Sequence, residues 1–381
     1  MPLTLGESAA DQPLLADVLP DCLGAMGITD SRSTGRLGLP EVRGVVVVLV
    51  DGLGALQLRA RAKHAPTLTR AWNGATARSF PSTTVAGITS LTTASPAGMH
   101  GMVAYSVWDR QERLYLNQLS GWGELMPPDS WQLCDTVFET VRGAQPVVVS
   151  VDAYRESGLT LASLRGAEYR AAETMLARSE VAAAAADQLA NPLIYLYHAE
   201  LDQVGHAQGW ESDAWTARLE ELDASIDRLL ELLPDDIGVL LLADHGMLDI
   251  APERQVDLDD ALSSDVVAVA GEPRLRHIYL DDSATDLDRE VLAGRLRRAE
   301  GSRAEVHTRD EAIALGWYGR EVDPEAADRI GDVIVAATGD VSYYVRAMPA
   351  SMRQMIGQHG SITLEETTVP LVRLGAFAER G

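Results

Sequence analysis

Positive charge is scarce in this chain. Lys and Arg number 32 against 56 Asp and Glu, for a formal net charge of −24. That balance excludes a nucleic-acid surface or an anionic-membrane surface as the main role. An anionic substrate would then need a local positive charge, which metal ions can supply. Cysteine is scarcer still. Cys22 and Cys134 are too few for a disulfide framework and read as buried or inert thiols in a reducing compartment. Long apolar runs are missing as well, and none approaches the ~18 residues of a membrane span. The first residues carry Glu7, Asp11 and Asp17 and no basic segment, so they do not read as a signal peptide. The expectation is a cytoplasmic protein with no membrane partner; oligomeric state leaves no trace in the sequence.

What the chain does have is length and hydrophobic pattern. Its 381 residues, 46% of them hydrophobic, can bury a large core, as two domains or as one domain with an insertion. The most informative stretch is Val45 to Val50, an unbroken apolar run followed by Asp51, Gly52, Leu53 and Gly54. Such a run reads as a central parallel strand buried on both faces. In open α/β sheets the site lies at the carboxyl ends of the strands. Alone, Asp51 reads equally well as the cap of the next helix. The pattern recurs, however. Leu193 to His198 runs into a polar loop carrying Asp202 and His206, an Asp-x-x-x-His pair suited to clamp a metal. Gly238 to Ala243 ends in Asp244 and His245. His198 and Glu200 read as solvated neighbours.

The rest of the chain can be placed around these three strand ends. Leu14, Leu15, Val18, Leu19 and Leu23 have helical spacing interrupted by Pro20, which predicts one or two short helices. Ala55–Lys63 and Ala65–Trp72 read as helices, and Ala75–Phe80 as a strand. Pro81, Ser82, Thr83 and Thr84 then lead into a helix over Val85–Thr93. A hydroxyl residue there is either an N-cap or a nucleophile beside helix N–H groups that hold phosphate oxygens. Residues 101–126, with Tyr105, Trp108, Tyr115 and Trp122, read as a surface excursion or a functional wall. Gln145–Val151 is a strand, and Ala171–Leu189 and Glu211–Leu233 are helices. Residues 265–350 read as a small α/β cap inserted into a core of 1–264 and 351–381, with Arg274, Arg276 and His277 as surface charges. The core resumes at His359, between Gln358 and Gly360, and closes with an edge strand near Val369–Val372.

Three Asp and three His make six ligands, enough for two Zn²⁺ ions per chain with open positions for substrate. Asp and His sets fit zinc better than magnesium. Two ions ~4 Å apart form a clamp for in-line displacement at phosphorus. At these residues the chain resembles the alkaline phosphatase superfamily, and most of all its nucleotide pyrophosphatase/phosphodiesterase family. The matching motifs are Asp51-Gly52, Phe80 to Thr84 with His100-Gly101, Tyr197 to His206, Asp244 to Met247 and Gly357 to Gly360. The resemblance implies a three-layer α/β sandwich with a mostly parallel central sheet and a small cap. It implies Asp202, His206 and His359 on one zinc, and Asp51, Asp244 and His245 with Thr84 on the other. Register to Pro81 and His100 selects Thr84 over Thr83 as nucleophile. Where the resemblance implies a phosphate-binding Asn three residues later, this chain has Gly87. The Cys-x-Pro-x-Arg motif of sulfatases is missing, which argues against a formylglycine nucleophile. The implied activity is hydrolysis of phosphodiester or nucleotide pyrophosphate bonds in a small phosphorylated substrate such as a nucleotide, through a phospho-threonine. The alternatives are a phosphomonoesterase or other phosphoryl-transfer enzyme of the superfamily, and a non-catalytic metal-bound module that binds a phosphorylated ligand.

Overall fold

The computed structural model describes residues 12–346 and 348–378. Glu7 and Asp11 lie outside them. The first element, α1 (Leu15–Ala25), is one helix with Pro20 inside it rather than two short ones. Pro costs a helix interior about 3 kcal/mol. Val18, Leu19, Cys22 and Leu23 are fully buried, and burying a large apolar side chain returns about 1.5–3 kcal/mol each. Packing therefore wins over the break.

The central sheet has six strands. In chain order they are β1 (Gly44–Val50), β2 (Gln145–Ser150), β3 (Glu168–Ala171), β4 (Pro192–His198), β5 (Ile237–Leu242) and a last one at Val372–Gly375. β1 lies between β4 and β5 and pairs in parallel with both, Val50 opposite His198 and Leu49 opposite Leu242. Every residue of these three strands is buried, as the unbroken apolar runs require. Only the edge strand Val372–Gly375 runs antiparallel, along β5. The parallel register brings the carboxyl ends of β1, β4 and β5 to one edge of the sheet. Helix α2 (Thr84–Thr93) packs on α1, and α3 (Met175–Gln188) packs on a long helix, Asp213–Leu232. One continuous apolar core joins them to the sheet.

Between α3 and that long helix stands Glu200–Gln208, called α4 below, the long helix being α5. From sequence, Asp202 and His206 are expected on a polar loop. They instead stand one turn apart on α4, whose acidic first turn favours a helix start. Residues 101–126 fold back as a short antiparallel hairpin, Ser106–Asp109 against Leu114–Asn117. Trp108 and Tyr115 pack edge to face across it, 5.0 Å apart.

Within residues 265–350 lies a second, antiparallel sheet. It contains β6 (Val266–Gly271), β7 (Leu275–Leu280), β8 (Ala304–Thr308) and β9 (Val333–Ala337), in spatial order β6-β7-β9-β8. Helix α6 (Asp286–Glu300) covers one face. Alternation along β9 is complete. Val333, Val335 and Ala337 join the core under α6, while Ile334 and Ala336 join a cluster with Ala86, Ala97 and Val103 of the main body. Two-sided burial corrects one expectation. Arg274, Arg276 and His277 are not surface charges but fully buried. Arg274 is paired with Glu366, Arg276 donates to the Tyr343 carbonyl, and His277 meets the Tyr318 hydroxyl at 3.2 Å.

Candidate metal and phosphoryl-transfer site

Two clusters form at the strand ends. In each, the candidate ligand atoms lie within 4.8 Å of one another: Asp202, His206 and His359 in the first, Asp51, Asp244 and His245 in the second. In the first, His206 Nε2 is 3.3 Å from Asp202 Oδ2 and 3.2 Å from His359 Nε2. In the second, His245 Nε2 is 3.3 Å from Asp51 Oδ1 and 3.7 Å from Asp244 Oδ2. The clusters adjoin: the His245 and His359 rings stack with centroids 3.6 Å apart.

Each imidazole is oriented from behind. Nδ1 of His206 faces the Gly357 carbonyl at 2.8 Å, that of His245 the Gly246 carbonyl at 3.0 Å, and that of His359 the Ser82 carbonyl at 2.9 Å. A carbonyl only accepts, so each Nδ1 carries the proton and each Nε2 turns a lone pair into the cluster. Asp202 Oδ1 and Asp244 Oδ2 are buried with no hydrogen-bond partner. Converging lone pairs and unpartnered carboxylate oxygens are what a bound cation requires. Without one, burial, and then the Asp244 and Asp202 charges, drive the Asp51 carboxyl well above the usual carboxylate range. Burial raises Asp244 too. Burial, then His245 and His206, pushes His359 well below the ordinary imidazole value. The donor set thus fits two divalent cations.

Thr84 is the first residue of α2, and its Oγ1 lies 3.2 Å from His245 Nε2 and 3.5 Å from Asp51 Oδ1. Thr83 occupies the N-cap position but its side chain makes no cap bond; it meets Glu272 instead. The first-turn N–H groups of α2 therefore stay free for an anion. Gly52 and Gly87 allow the close approach. Gly52 has φ +76°, and a Cβ there would lie 3.0 Å from Asp202 Cα. A Cβ at Gly87 would lie 2.7 Å from Asp244 Cβ, so an Asn has no room and a second phosphate contact must come from elsewhere.

Other expectations resolve differently. His198 is buried rather than solvated, and Arg178 bridges it to Glu200. His100 is structural: the Met102 amide donates to its Nδ1 at 3.1 Å, Ser90 sits 3.0 Å from its Nε2, and burial pulls its pKa down to about 3. Cys22 is buried, and burial raises its thiol pKa, so it is inert. Tyr197 stands at the start of a matched motif but has no role assigned from sequence; its hydroxyl donates to Asp51 Oδ2. The available signal was Tyr195 and Tyr197 at alternate positions of an otherwise aliphatic strand, which puts both on one face. Beside Thr84, Asp51 and Asp202 opens a cavity of about 710 Å³. The residue 101–126 excursion supplies part of its wall through Leu119, Ser120 and Trp122.

A mainly parallel α/β sheet with two candidate metal clusters at its carboxyl edge is the setting in which the comparisons place the chain. The model of the Type I phosphodiesterase / nucleotide pyrophosphatase family matches residues 45–362, and the chain belongs to that family. Among solved structures, an inactive threonine-to-alanine variant of murine ectonucleotide pyrophosphatase / phosphodiesterase 5, in complex with AMP, is similar. It has a TM-score of 0.65 at 17% identity, over 87% of this chain and 88% of that one. Phosphonoacetate hydrolase from Sinorhizobium meliloti 1021, in complex with phosphonoformate, scores 0.64 at 18% identity, over 88% and 91%. A stretch of 58 residues is 36% identical to GPI ethanolamine phosphate transferase 2 of Yarrowia lipolytica; it spans 15% of this chain and 7% of that protein. Among the described residues no helix is long and apolar enough to cross a membrane.

Proposed function

We propose that this chain is a two-zinc hydrolase of phosphodiester or nucleotide pyrophosphate bonds that works through a phospho-threonine on Thr84. The observation that carries the reading is Thr84 Oγ1 at an uncapped helix start, 3.2 Å from His245 Nε2 and 3.5 Å from Asp51 Oδ1. Asp202, His206 and His359 would hold one ion, and Asp51, Asp244 and His245 the other. Bound there, the ions supply Lewis acidity to phosphoryl oxygens and lower the pKa of a nearby hydroxyl. The mixed Asp and His donors favour zinc over magnesium.

The chain's own groups do the rest. Thr84 Oγ1 gives up its proton to solvent and forms the bond to phosphorus. The leaving oxygen departs with the electrons of the broken P–O bond and is protonated from solvent. Water then attacks phosphorus, the P–Oγ1 bond breaks, and Thr84 regains a proton. First-turn N–H groups of α2 hold the non-bridging oxygens through both steps. Tyr197 holds Asp51 in place by donating to Oδ2.

The test is turnover of methyl p-nitrophenyl phosphate and p-nitrophenyl phosphate by protein with added Zn²⁺, with metal counted by elemental analysis. The expected result is about two zinc per chain and faster release from the diester. Faster release from the monoester would move the reading to a phosphomonoesterase. Zinc and phosphate binding with no turnover of either would make the chain a binding module.

A further inference from the structure

The cavity beside Thr84 differs in character from the two clusters. Its lining contains Asp51, Thr84 and Asp202, so a phosphoryl group on Thr84 would stand at its mouth. Beyond them the wall is mostly apolar and aromatic, with Ile88, Trp122, Leu159, Leu161 and Tyr154, interspersed with uncharged polar residues such as Ser157, Thr160 and Gln203. Among the described residues neither Lys, Arg nor His lines it, and its remaining charged residue is Glu156. Two divalent ions against three Asp carboxylates leave about one net positive charge, enough for one phosphoryl group and nothing beyond it. A second anionic group would sit in this wall facing Glu156 with no cation. At ~710 Å³ the space suits an organic group of tens of atoms, and is far larger than a methyl or carboxylate substituent fills.

Three further details give the pocket its form. The Tyr195 hydroxyl and the Ser150 Oγ both line it and, among the described residues, are buried with no hydrogen-bond partner, so the pocket holds two unmet hydroxyls beside its apolar wall. Tyr195 and Tyr197 stack at 6.3 Å and Tyr154 tilts against Tyr197 at 6.2 Å, building an aromatic floor. Trp122 is seated on Gly158, where a Cβ would lie 1.9 Å from the indole Cγ.

We infer that this pocket receives an uncharged, bulky, apolar ester substituent of the substrate, an aryl or long alkyl group, and rejects an anionic one. The inference rests on the proposed phosphodiesterase reading and names its substrate class. Burial of each methylene improves binding several-fold, whereas an unpaired charge against Glu156 opposes it. A nucleoside, with its several hydrogen-bonding edges, meets only two unmet hydroxyls and should rank between these and the anionic group.

The experiment is kcat/KM of the zinc-loaded protein for p-nitrophenyl phosphodiesters whose second substituent is methyl, hexyl, phenyl, thymidine 5′-yl or carboxyethyl. Hexyl and phenyl should exceed methyl by roughly 30-fold or more, with thymidine intermediate and carboxyethyl below methyl. Leu161→Lys should raise carboxyethyl relative to hexyl by about tenfold or more. Competition binding of hexylphosphonate against methylphosphonate reads the pocket without turnover and should favour hexyl by at least tenfold. If no diester is turned over but hexylphosphonate binds better, the hydrolase reading falls and the pocket assignment stands. If methyl is turned over as fast as hexyl and phenyl, or thymidine or carboxyethyl leads, the pocket assignment is overturned while the hydrolase reading survives.

Discussion

Two buried centres of charge can be set side by side in this molecule. In one, Arg274 and Glu366 are both fully buried and meet through two bonds, Nε to Oε1 at 3.0 Å and Nη2 to Oε2 at 2.7 Å. The rest of each group is also satisfied. Arg274 Nη1 donates to the Gly339 and Val341 carbonyls, and Glu366 accepts from the Ser361 amide and the Thr363 hydroxyl. In the other, Asp51, Asp202 and Asp244 stand with three imidazoles; among the described residues no Arg or Lys is paired with them, and two carboxylate oxygens have no partner. The first centre is complete within the chain. The second is complete only with something added, and its surplus of negative charge says that the addition is cationic. The two are connected. The Glu366 carbonyl accepts from the Gly246 amide at 2.8 Å, next to His245, and the Ser361 amide it holds lies two residues from His359. The finished pair braces the unfinished site.

The largest effect should come from the nucleophile. Thr84→Ala is expected to lower kcat/KM by roughly 10³-fold or more while elemental analysis still finds both zincs; Thr84→Ser should stay active. A Thr84→Ala enzyme that keeps its rate would remove Thr84 from the chemistry. Breaking the complete centre comes next. Glu366→Ala leaves the Arg274 charge buried and unpaired, and chemical denaturation should show a loss of about 3–5 kcal/mol. A loss under 1 kcal/mol would mean that water reaches Arg274.

Removing a ligand should be felt in rate and metal together. His206→Ala or Asp244→Ala should cost on the order of 10²-fold in rate and at least one zinc per chain. His277→Ala, at a fully buried imidazole that faces Tyr318 and the Gly331 amide, should leave zinc content unchanged. Zinc loss from His277→Ala would overturn the ligand assignment.

His277 also sharpens the contrast through pH. Burial pulls its pKa down to about 3, against about 6.5 in the unfolded chain. Between those values the unfolded state binds more protons, so this contribution is present above pH ~6.5 and is lost as pH falls below it. Tm measured from pH 7.5 to 4.5 should fall less steeply for His277→Gln, by about one proton taken up on unfolding. Equal slopes would mean that His277 is protonated in the fold. The smallest effect belongs to Thr83→Ala, about 1 kcal/mol of stability with little change in rate. A rate loss confined to Thr83→Ala would move the nucleophile one residue back.

Local sequence alone sets the strands and what ends them. Val45–Val50, Leu193–His198 and Gly238–Ala243 are local apolar runs, and burial on both faces is written in their continuity. The chemistry-bearing residues follow each run directly or within a few residues, so Asp51, Asp202, His206, Asp244 and His245 could be picked out before any contact was known. The family resemblance supplied Thr84 over Thr83, and the grouping of ligands in threes. The rest depends on contacts between distant segments. The parallel register carries Asp51 to residues almost two hundred positions away, and no local pattern encodes that pairing. Arg274, Arg276 and His277 look like surface charges because charge alone does not reveal a sheet covered on both faces. The helix under Asp202 and His206 was hidden by its polar, glycine-containing sequence. The Tyr197 bond to Asp51 and the cation-free pocket are properties of facing surfaces: each needs side chains from distant segments to meet, and hydrophobic periodicity reports only which face is buried, never what it is buried against.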